Sequence, residues 1–147
     1  MKPTLRMKKL DPRAVTPTYG SPAAAGADLY ALLDETLTVA PGETVKVPTG
    51  LSLEIPEGYA GLIYARSGLS VKRGLAPANK VGVIDADYRG EILVALYNQS
   101  PVPQTVESGE RIAQLVIAPV LQVGFEECDD LSDTARGAGG FGSTGTK

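Results

Sequence analysis

The sequence predicts an all-β domain that carries one short helix and a flexible, glycine-rich C-terminal tail. Short apolar runs recur between turns that contain Pro or Gly, at the spacing of a sandwich, jelly roll or barrel. No stretch shows the period of a long amphipathic helix. The 147 residues carry a net charge of −3, and a chain of this length is most simply one domain that buries a proper core.

The elements are predicted in order along the chain. Residues 1–10 alternate weakly and suit an edge strand, whereas 11–24 are rich in Pro, Thr, Ser and Gly and are typical of a loop. Residues 66–74 interrupt the strand pattern and are the best place for a turn of helix. The remaining strands are short apolar runs, predicted at 25–32, 36–40, 44–47, 51–55, 59–65, 81–84, 91–97, 104–106, 112–118 and 121–125.

Two of these runs, 92–97 and 112–118, are apolar on both faces. A strand of an antiparallel sheet commonly turns one polar face to water. In a sandwich, an apolar outer face needs another subunit to cover it, so we expect a homo-oligomer.

The strand pattern stops at about Asp129, which predicts a β domain over 1–128 and a mobile segment over 129–147. Within that segment, 136–145 contains five glycines and the single aromatic Phe141. A solvated tail has no use for a lone Phe, whereas a closing lid does. Arg136 and the backbone N–H groups of the Gly-Ser-Thr run can hold phosphate oxygens. The segment is not a Walker loop, because it lacks Gly-Lys-Ser/Thr.

The chain contains no histidine. This count excludes Ser-His-Asp and Cys-His catalysis and any zinc site built on imidazole. A general base that works near neutral pH must therefore be a carboxylate or, less readily, a lysine or tyrosine.

The composition also limits the partners. No basic block is longer than Lys8-Lys9, which argues against a nucleic-acid polymer, although a few well-placed arginines could still meet a small anion. Nothing resembles a membrane span, and residues 1–10 lack the apolar region of a signal peptide, so we expect a cytoplasmic protein. The single Cys128 rules out an internal disulfide framework and is best explained as incidental.

Several polar groups interrupt the apolar pattern. The richest is the turn of the hairpin at 81–91, where two acids, a phenol and a guanidinium stand between two apolar strands. Taken alone, this turn and the other groups have ordinary structural explanations as turn or capping residues. Gln114 lies within an apolar run and needs a dedicated partner, because a buried unpaired amide costs about 1–3 kcal/mol. The other groups are Asp28, Arg66-Ser67-Gly68, Asn79 and Arg111.

Taken together and in order, these groups resemble the five motifs of the trimeric dUTP diphosphatase (dUTPase) family. The resemblance covers nearly the whole chain, and five motifs in the right order are far more specific than any one of them. The motifs correspond to residues 25–29, 65–69, 79–91, 109–115 and 136–145.

The resemblance implies a distorted jelly-roll or β-clip sandwich in a threefold homotrimer. It also implies Mg²⁺-dependent hydrolysis of dUTP to dUMP and pyrophosphate, which keeps uracil out of DNA and supplies dUMP for dTMP synthesis. Each active site would draw on all three subunits. One subunit would give the hairpin of the third motif, a second would give the first, second and fourth motifs, and a third would lend its tail.

The resemblance also implies roles for residues of the hairpin. Asp85 would orient and deprotonate the water that attacks the α-phosphorus, which agrees with the absence of histidine. Tyr88 would lie against the deoxyribose and leave no room for a 2′-hydroxyl. Asn79 and the backbone at Gly82 and Val83 would read the uracil edge, and their close approach would exclude the methyl group of thymine.

The remaining roles concern the phosphates and the metal. Asp28 would meet the water shell of Mg²⁺, which is otherwise held by the triphosphate. Phe141 would stack on uracil, a contact worth roughly 1–3 kcal/mol. Arg89 has no role that we can assign beyond turn or interface packing, and Ala27 stands where an aromatic residue is common in the family. The phosphates would be held by Arg66, Ser67, Gly68 and Gln114, and by Arg136, Gly142 and Ser143 of the tail.

Two alternatives remain open from the sequence. A dCTP deaminase has the same fold, but it would need a glutamate base aimed at cytosine and would not need a lid that carries Phe. A non-catalytic jelly-roll module that binds nucleotides or a protein would be indifferent to Asp85→Asn, whereas a hydrolase would lose nearly all turnover with dUTP still bound.

Overall fold

The computed structural model describes residues 3–145 and is an all-β domain with a single short helix. The all-β prediction is confirmed. The elements are β1 (Arg6–Lys9), β2 (Thr18–Tyr19), β3 (Ala27–Tyr30), β4 (Leu37–Val39), β5 (Thr44–Pro48), β6 (Leu51–Glu54), β7 (Tyr59–Tyr64), α1 (Ser67–Arg73), β8 (Leu75–Pro77), β9 (Gly82–Ile84), β10 (Leu93–Asn98), β11 (Gln104–Val106) and β12 (Arg111–Pro119).

The strands form one large sheet and three smaller ones. The large sheet is antiparallel and has the order β2-β3-β12-β7-β9. A three-stranded sheet has the order β5-β10-β8, and β1 pairs with β6 and β4 with β11. This order brings β3 and β12 together, so motifs that are far apart in sequence become neighbours in space.

One core of aliphatic side chains joins the sheets. Leu29, Leu51, Leu75, Leu96 and Ile112 are completely buried in it. Full burial of each such side chain stabilises the fold by about 1.5–3 kcal/mol relative to leaving it in water. The core fixes the strands, and therefore the loops that carry the polar motifs, as one rigid frame.

The helix α1 ends after seven residues because a glycine caps its C-terminus. Gly74 adopts the left-handed conformation with φ of 69°, and its N–H reaches the carbonyl oxygens of Leu69 and Ser70. Lys72 and Arg73 lie in the last turn, where positive charge is favourable. Arg66 occupies the N-cap position, and no side chain caps the helix there.

Three details differ from the sequence prediction. β2 lies inside the stretch predicted as a loop, and β8 was missed because it is only three residues long and ends in proline. The strand predicted at 121–125 is wrong. Its apolar side chains Leu121, Val123 and Phe125 are exposed, and a strand needs a partner for its backbone hydrogen bonds, which this stretch does not find within the described chain.

The described residues contain no helix that is both long enough and apolar enough to cross a membrane.

The loop before β2 carries a surface cluster in which Arg13 bonds Asp11 and Asp34. The hydrogen bond from Arg13 lowers the pKa of Asp11 below its ordinary value.

Candidate active site

One cavity lies against the connection from β9 to β10. The hairpin predicted at 81–91 is wrong, because β9 pairs with β7 whereas β10 pairs with β5 and β8 in another sheet. We keep the word hairpin only as a name for residues 81–91, and we call this cavity the hairpin cavity. It has a volume of about 220 Å³. Its lining combines the apolar strand faces with a few polar groups, as is usual for a ligand site. The predicted site residues that lie here are the catalytic candidate Asp85 and the substrate-binding candidates Asn79, Gly82, Val83 and Tyr88.

A tight turn presents Asn79 to this cavity. The N–H of Lys80 donates to the carbonyl of Pro77, and Lys80 itself adopts a φ of 65°, which is uncommon for a residue with a side chain. A Cβ at Gly82 would lie 3.2 Å from Cβ of Ile63 and 3.3 Å from Nδ2 of Asn79. Glycine at this position therefore lets the Asn79 amide lie directly against the strand.

Asp85 begins the turn of the hairpin. The N–H of Tyr88 donates to the backbone carbonyl of Asp85, which closes the turn. The carboxylate of Asp85 is exposed, and among residues 3–145 no hydrogen bond or ion pair engages it. It is therefore available to a water molecule or a ligand.

Arg89 is exposed and supports this turn through two hydrogen bonds. Its Nη1 donates to the carbonyl oxygen of Ala86 at 2.6 Å and to that of Tyr88 at 3.1 Å. The turn role is the one that the sequence had allowed for Arg89. Because these carbonyls belong to the turn itself, the guanidinium fixes its curvature and is not directed at the hairpin cavity, whose lining does not include it.

The second leg of the hairpin is fastened to β6 and the turn before it. The N–H of Gly50 donates to Oε1 of Glu91 at 2.8 Å, and Oγ of Ser52 donates to the carbonyl of Arg89 at 2.6 Å. Oγ1 of Thr49 donates to the carbonyl of Ile92 at 2.7 Å. These bonds join a loop of one sheet to the base of the hairpin, so the backbone that carries Tyr88 and Glu91 is held in place.

The second cavity has a volume of about 240 Å³ and lies at the other end of the large sheet, where β3, β12 and the start of α1 meet. We call it the arginine cavity. Oδ1 of the buried Asp28 accepts from Nε of Arg66 at 2.8 Å, and its Oδ2 accepts from Nη1 of Arg111 at 3.3 Å. One carboxylate thus orients two guanidinium groups, which leaves a net positive charge in the cavity.

Gln114 lies beside this pair, on β12. Its Nε2 donates to the carbonyl of Ala65 at 2.9 Å, which is the dedicated partner expected from the sequence. A Cβ at Gly26 would lie 2.7 Å from Oε1 of Gln114. The glycine of the first motif is therefore required because the glutamine of the fourth motif occupies its side-chain space.

The tail contributes to neither cavity. Its bonds are local turns: Nε of Arg136 donates to the carbonyl of Gly139 at 2.8 Å, and the N–H of Ser143 donates to the carbonyl of Gly140 at 3.0 Å. Phe141 is fully exposed and has a φ of 49°. Of the described residues that line the two cavities, none comes from 129–145.

The structure therefore divides the predicted site residues into three groups. The hairpin cavity contains the five named above, and the arginine cavity contains Asp28, Arg66, Ser67, Gly68 and Gln114. The tail residues Arg136, Phe141, Gly142 and Ser143 remain outside both. Sequence reasoning left Arg111 out of the site, although its place in the fourth motif was a usable signal.

No group of three or more Cys, Asp or Glu side chains in the described chain is arranged to hold a metal ion without other ligands. The carboxylate available in the arginine cavity is Asp28, whose oxygens already accept from two arginines. This donor set suits contact with the water shell of a cation that arrives with its own phosphate ligands.

Comparisons with known proteins agree with this geometry. Residues 13–145 match the dUTPase family. The deoxyuridine 5′-triphosphate nucleotidohydrolase of Desulfitobacterium hafniense is 57% identical over 88% of this chain and 86% of its own length. The enzyme of the same name from Hahella chejuensis is 49% identical over the full length of both chains.

Solved structures show the same likeness. The dUTPase of Staphylococcus bacteriophage 80alpha with dUpNHpp has a TM-score of 0.90 and 31% identity, over 99% of this chain and 100% of its own. A mutant dUTPase from phage phi11 of S. aureus, whose structure concerns the coordination of a structural Mg(II) ion, has a TM-score of 0.80 and 25% identity over 89% of this chain. The jelly-roll or β-clip prediction is confirmed.

The fold and these relatives define an enzyme that hydrolyses a nucleoside triphosphate. The chain belongs to the dUTPase family and acts as a dUTP diphosphatase, a hydrolase of nucleotide metabolism. The two alternatives from the sequence, a deaminase and a non-catalytic module, are excluded by this assignment.

Proposed function

We propose that the enzyme hydrolyses dUTP to dUMP and pyrophosphate by attack of water on the α-phosphorus, with Asp85 as the general base. The observation that carries this proposal is the exposed Asp85 carboxylate at the edge of a nucleoside-sized cavity in a chain without histidine. A positioned base contributes about 10²–10⁴ to the rate. The reaction would keep uracil out of DNA and supply dUMP for dTMP synthesis.

The hairpin cavity is proposed to hold the nucleoside. Asn79 and the backbone at Gly82 and Val83 would read the uracil edge, because the missing side chain of Gly82 brings the base against the strand. A methyl group on the base would then collide with that backbone. Tyr88 would cover the deoxyribose and exclude a 2′-hydroxyl.

The arginine cavity is proposed to hold the triphosphate. Arg66 and Arg111 are both already oriented by Asp28, so they would lose little further side-chain freedom when they bind the phosphates. Ser67, Gly68 and Gln114 would add hydrogen bonds. Arg66 would help to neutralise the charge that develops on the phosphate oxygens in the transition state. Arg111 is half exposed and would contribute to binding of the phosphates.

Mg²⁺ is proposed as the cofactor, carried in by the triphosphate. When bound, it supplies positive charge to the phosphate oxygens. Asp28 would accept hydrogen bonds from its water shell, while continuing to orient the two arginines.

The sheet register supports an active site shared between subunits. In the β7–β9 pair, Ile84 lies opposite Gly61, so Asp85 follows near the start of β7, whereas Arg66 follows the end of β7. At roughly 3.4 Å per residue, positions 60 and 66 are about 20 Å apart along the strand. A base and the cations that serve one reaction must meet within hydrogen-bond reach of the same phosphates. One subunit alone keeps them apart.

A closed homotrimer would bring the two cavities together, because each repeats the same contact with its neighbour. Further support comes from the exposed outer residue Leu93 of β10 and from the exposed apolar side chains at 121–125, which a neighbouring subunit would cover. The cytoplasmic location expected from the sequence stays a prediction.

Residues 129–147 are proposed as a lid that a third subunit lends to the site. Phe141 is fully exposed in a glycine-rich stretch and would stack on uracil, while Arg136, Gly142 and Ser143 would bind the phosphates. Such closure excludes bulk water other than the attacking molecule and completes the set of cations. Residues 146 and 147 of the proposed lid lie outside the described residues.

The test is pyrophosphate release from each dNTP and from UTP, measured for the unmodified enzyme and for Tyr88→Ala. We expect release from dUTP alone, and a gain of UTP turnover relative to dUTP in Tyr88→Ala. Ammonia release from dCTP would contradict the assigned reaction. Unaltered discrimination against UTP in Tyr88→Ala would contradict the sugar role of Tyr88.

A further inference from the structure

Gly90 lies beneath the ring of Tyr88. The Tyr88 hydroxyl donates to the carbonyl oxygen of Glu91 at 2.8 Å, which folds the ring forward along the chain and across Gly90. A Cβ built on Gly90 would lie 2.5 Å from Cζ and 2.8 Å from Cε2 of Tyr88, and closest of all to the hydroxyl oxygen. Real Cβ contacts of this length do not occur, so any side chain at position 90 would displace the ring.

The backbone does not account for glycine at this position. Gly90 is not among the glycines of the described chain that have a positive φ. An alanine would therefore adopt the same conformation without strain. The Tyr88 ring occupies the space that a side chain at position 90 would fill. This occupation is the physical reason for glycine.

The ring would have to move, because the backbone around Gly90 is fixed. Ser52 holds the carbonyl of Arg89, the N–H of Gly50 holds the Glu91 side chain, and the N–H of Ile92 donates to the carbonyl of Leu51 at 2.8 Å. Tyr88 is instead the free end of a side chain and is 44% exposed. Displacing it costs little stability but changes the wall of the hairpin cavity that it forms.

We propose that Gly90 is a specificity-determining positioning residue that sets the Tyr88 ring against the sugar of the substrate. Gly90 acts only through Tyr88: it leaves the space into which the ring fits, and the Glu91 carbonyl fixes the ring there. The proposal rests on the sugar role of Tyr88 given above, and it adds that the discrimination between deoxyribose and ribose depends on a residue with no side chain.

The test is a double-mutant cycle with Gly90→Ala, Tyr88→Ala and the double variant, in which kcat and KM are measured for dUTP and UTP. Gly90→Ala should lower the dUTP/UTP ratio of kcat/KM by roughly tenfold or more, the scale of one misplaced methyl group in a binding pocket. In the Tyr88→Ala background the same substitution should change that ratio less than about twofold, because the ring that transmits its effect is gone. Thermal unfolding should show that Gly90→Ala remains folded.

The outcomes separate the two proposals. If Tyr88→Ala itself leaves the ratio unchanged, the sugar role of Tyr88 fails, and the role of Gly90 fails with it. If Tyr88→Ala changes the ratio but Gly90→Ala does not, the role of Gly90 alone is wrong. An equal loss from Gly90→Ala in both backgrounds would also contradict it, because the effect would then not pass through Tyr88. A crystal structure of Gly90→Ala should show the Tyr88 ring displaced from the Glu91 carbonyl.

Discussion

The hairpin cavity and the arginine cavity differ in their charged groups, and we propose that they carry complementary halves of one reaction. The first has an unpaired carboxylate, Asp85, and apolar walls, but no arginine or lysine in its lining. The second has two guanidinium groups, but its one carboxylate, Asp28, is committed to both of them. Neither half can activate water and neutralise a triphosphate alone. This difference is the basis of the proposal that subunits share one active site.

The largest loss of turnover is expected from a substitution of Asp85 in the hairpin cavity. Asp85→Asn should lower kcat for dUTP by about 10²–10⁴, because the general base is lost. The KM should change little, since the phosphates are held in the other cavity. Stopped-flow or steady-state release of pyrophosphate measures both quantities. Asp87→Asn is the matched control: Asp87 lies in the same turn but not in the cavity lining, and its loss should leave most of the turnover. Equal losses in the two variants would contradict the role of Asp85.

The next largest effect should come from the tail. Removal of residues 136–147 should lower kcat/KM by about 10², the combined scale of a stacking contact and a charge-assisted phosphate contact. The oligomeric state by light scattering should be unchanged, since the core lies within the β domain. Phe141→Ala in the full chain should give a smaller loss. Full turnover of the shortened enzyme would contradict the lid.

A smaller effect is expected from removal of the more exposed guanidinium of the arginine cavity, that of Arg111. Arg111→Ala should raise the KM for dUTP by about two- to fivefold, the scale of one solvent-exposed charge contact, with kcat nearly unchanged. Arg13→Ala, which removes an exposed arginine paired outside both cavities, is the control and should leave KM as it is. A selective loss of kcat in Arg111→Ala would argue that this arginine serves the transition state instead.

The sequence could predict the all-β class and most strands because their alternation and Pro/Gly turns are local signals. That Gln114 needs a partner followed from the cost of burying an amide and is confirmed by its bond to Ala65. The choice of a carboxylate as general base followed from the absence of histidine and stays a prediction. The pairing of Arg111 with Asp28 could not be predicted, since it depends on β3 and β12 becoming neighbours in the sheet. The dependence of Tyr88 on Gly90 likewise appears only when the direction of the ring is known.

The wrong strand at 121–125 has the same kind of cause. Its alternation of Leu121, Val123 and Phe125 is a sound strand signal, but a strand requires a partner, and within residues 3–145 this stretch pairs with none. A local pattern reports what a segment prefers and does not report which chain supplies the partner.

The most direct test of a shared active site mixes two defective enzymes. Asp85→Asn keeps an intact arginine cavity, and Arg66→Ala keeps an intact hairpin cavity; each should be nearly inactive alone. After the two are unfolded and refolded together in equal amounts, about a quarter of the sites should combine an intact hairpin from one subunit with an intact arginine cavity from another. We therefore predict that dUTP turnover rises to about a quarter of that of the unmodified enzyme. Activity no greater than the average of the two parents would contradict the account, because it would mean that each subunit holds its whole site.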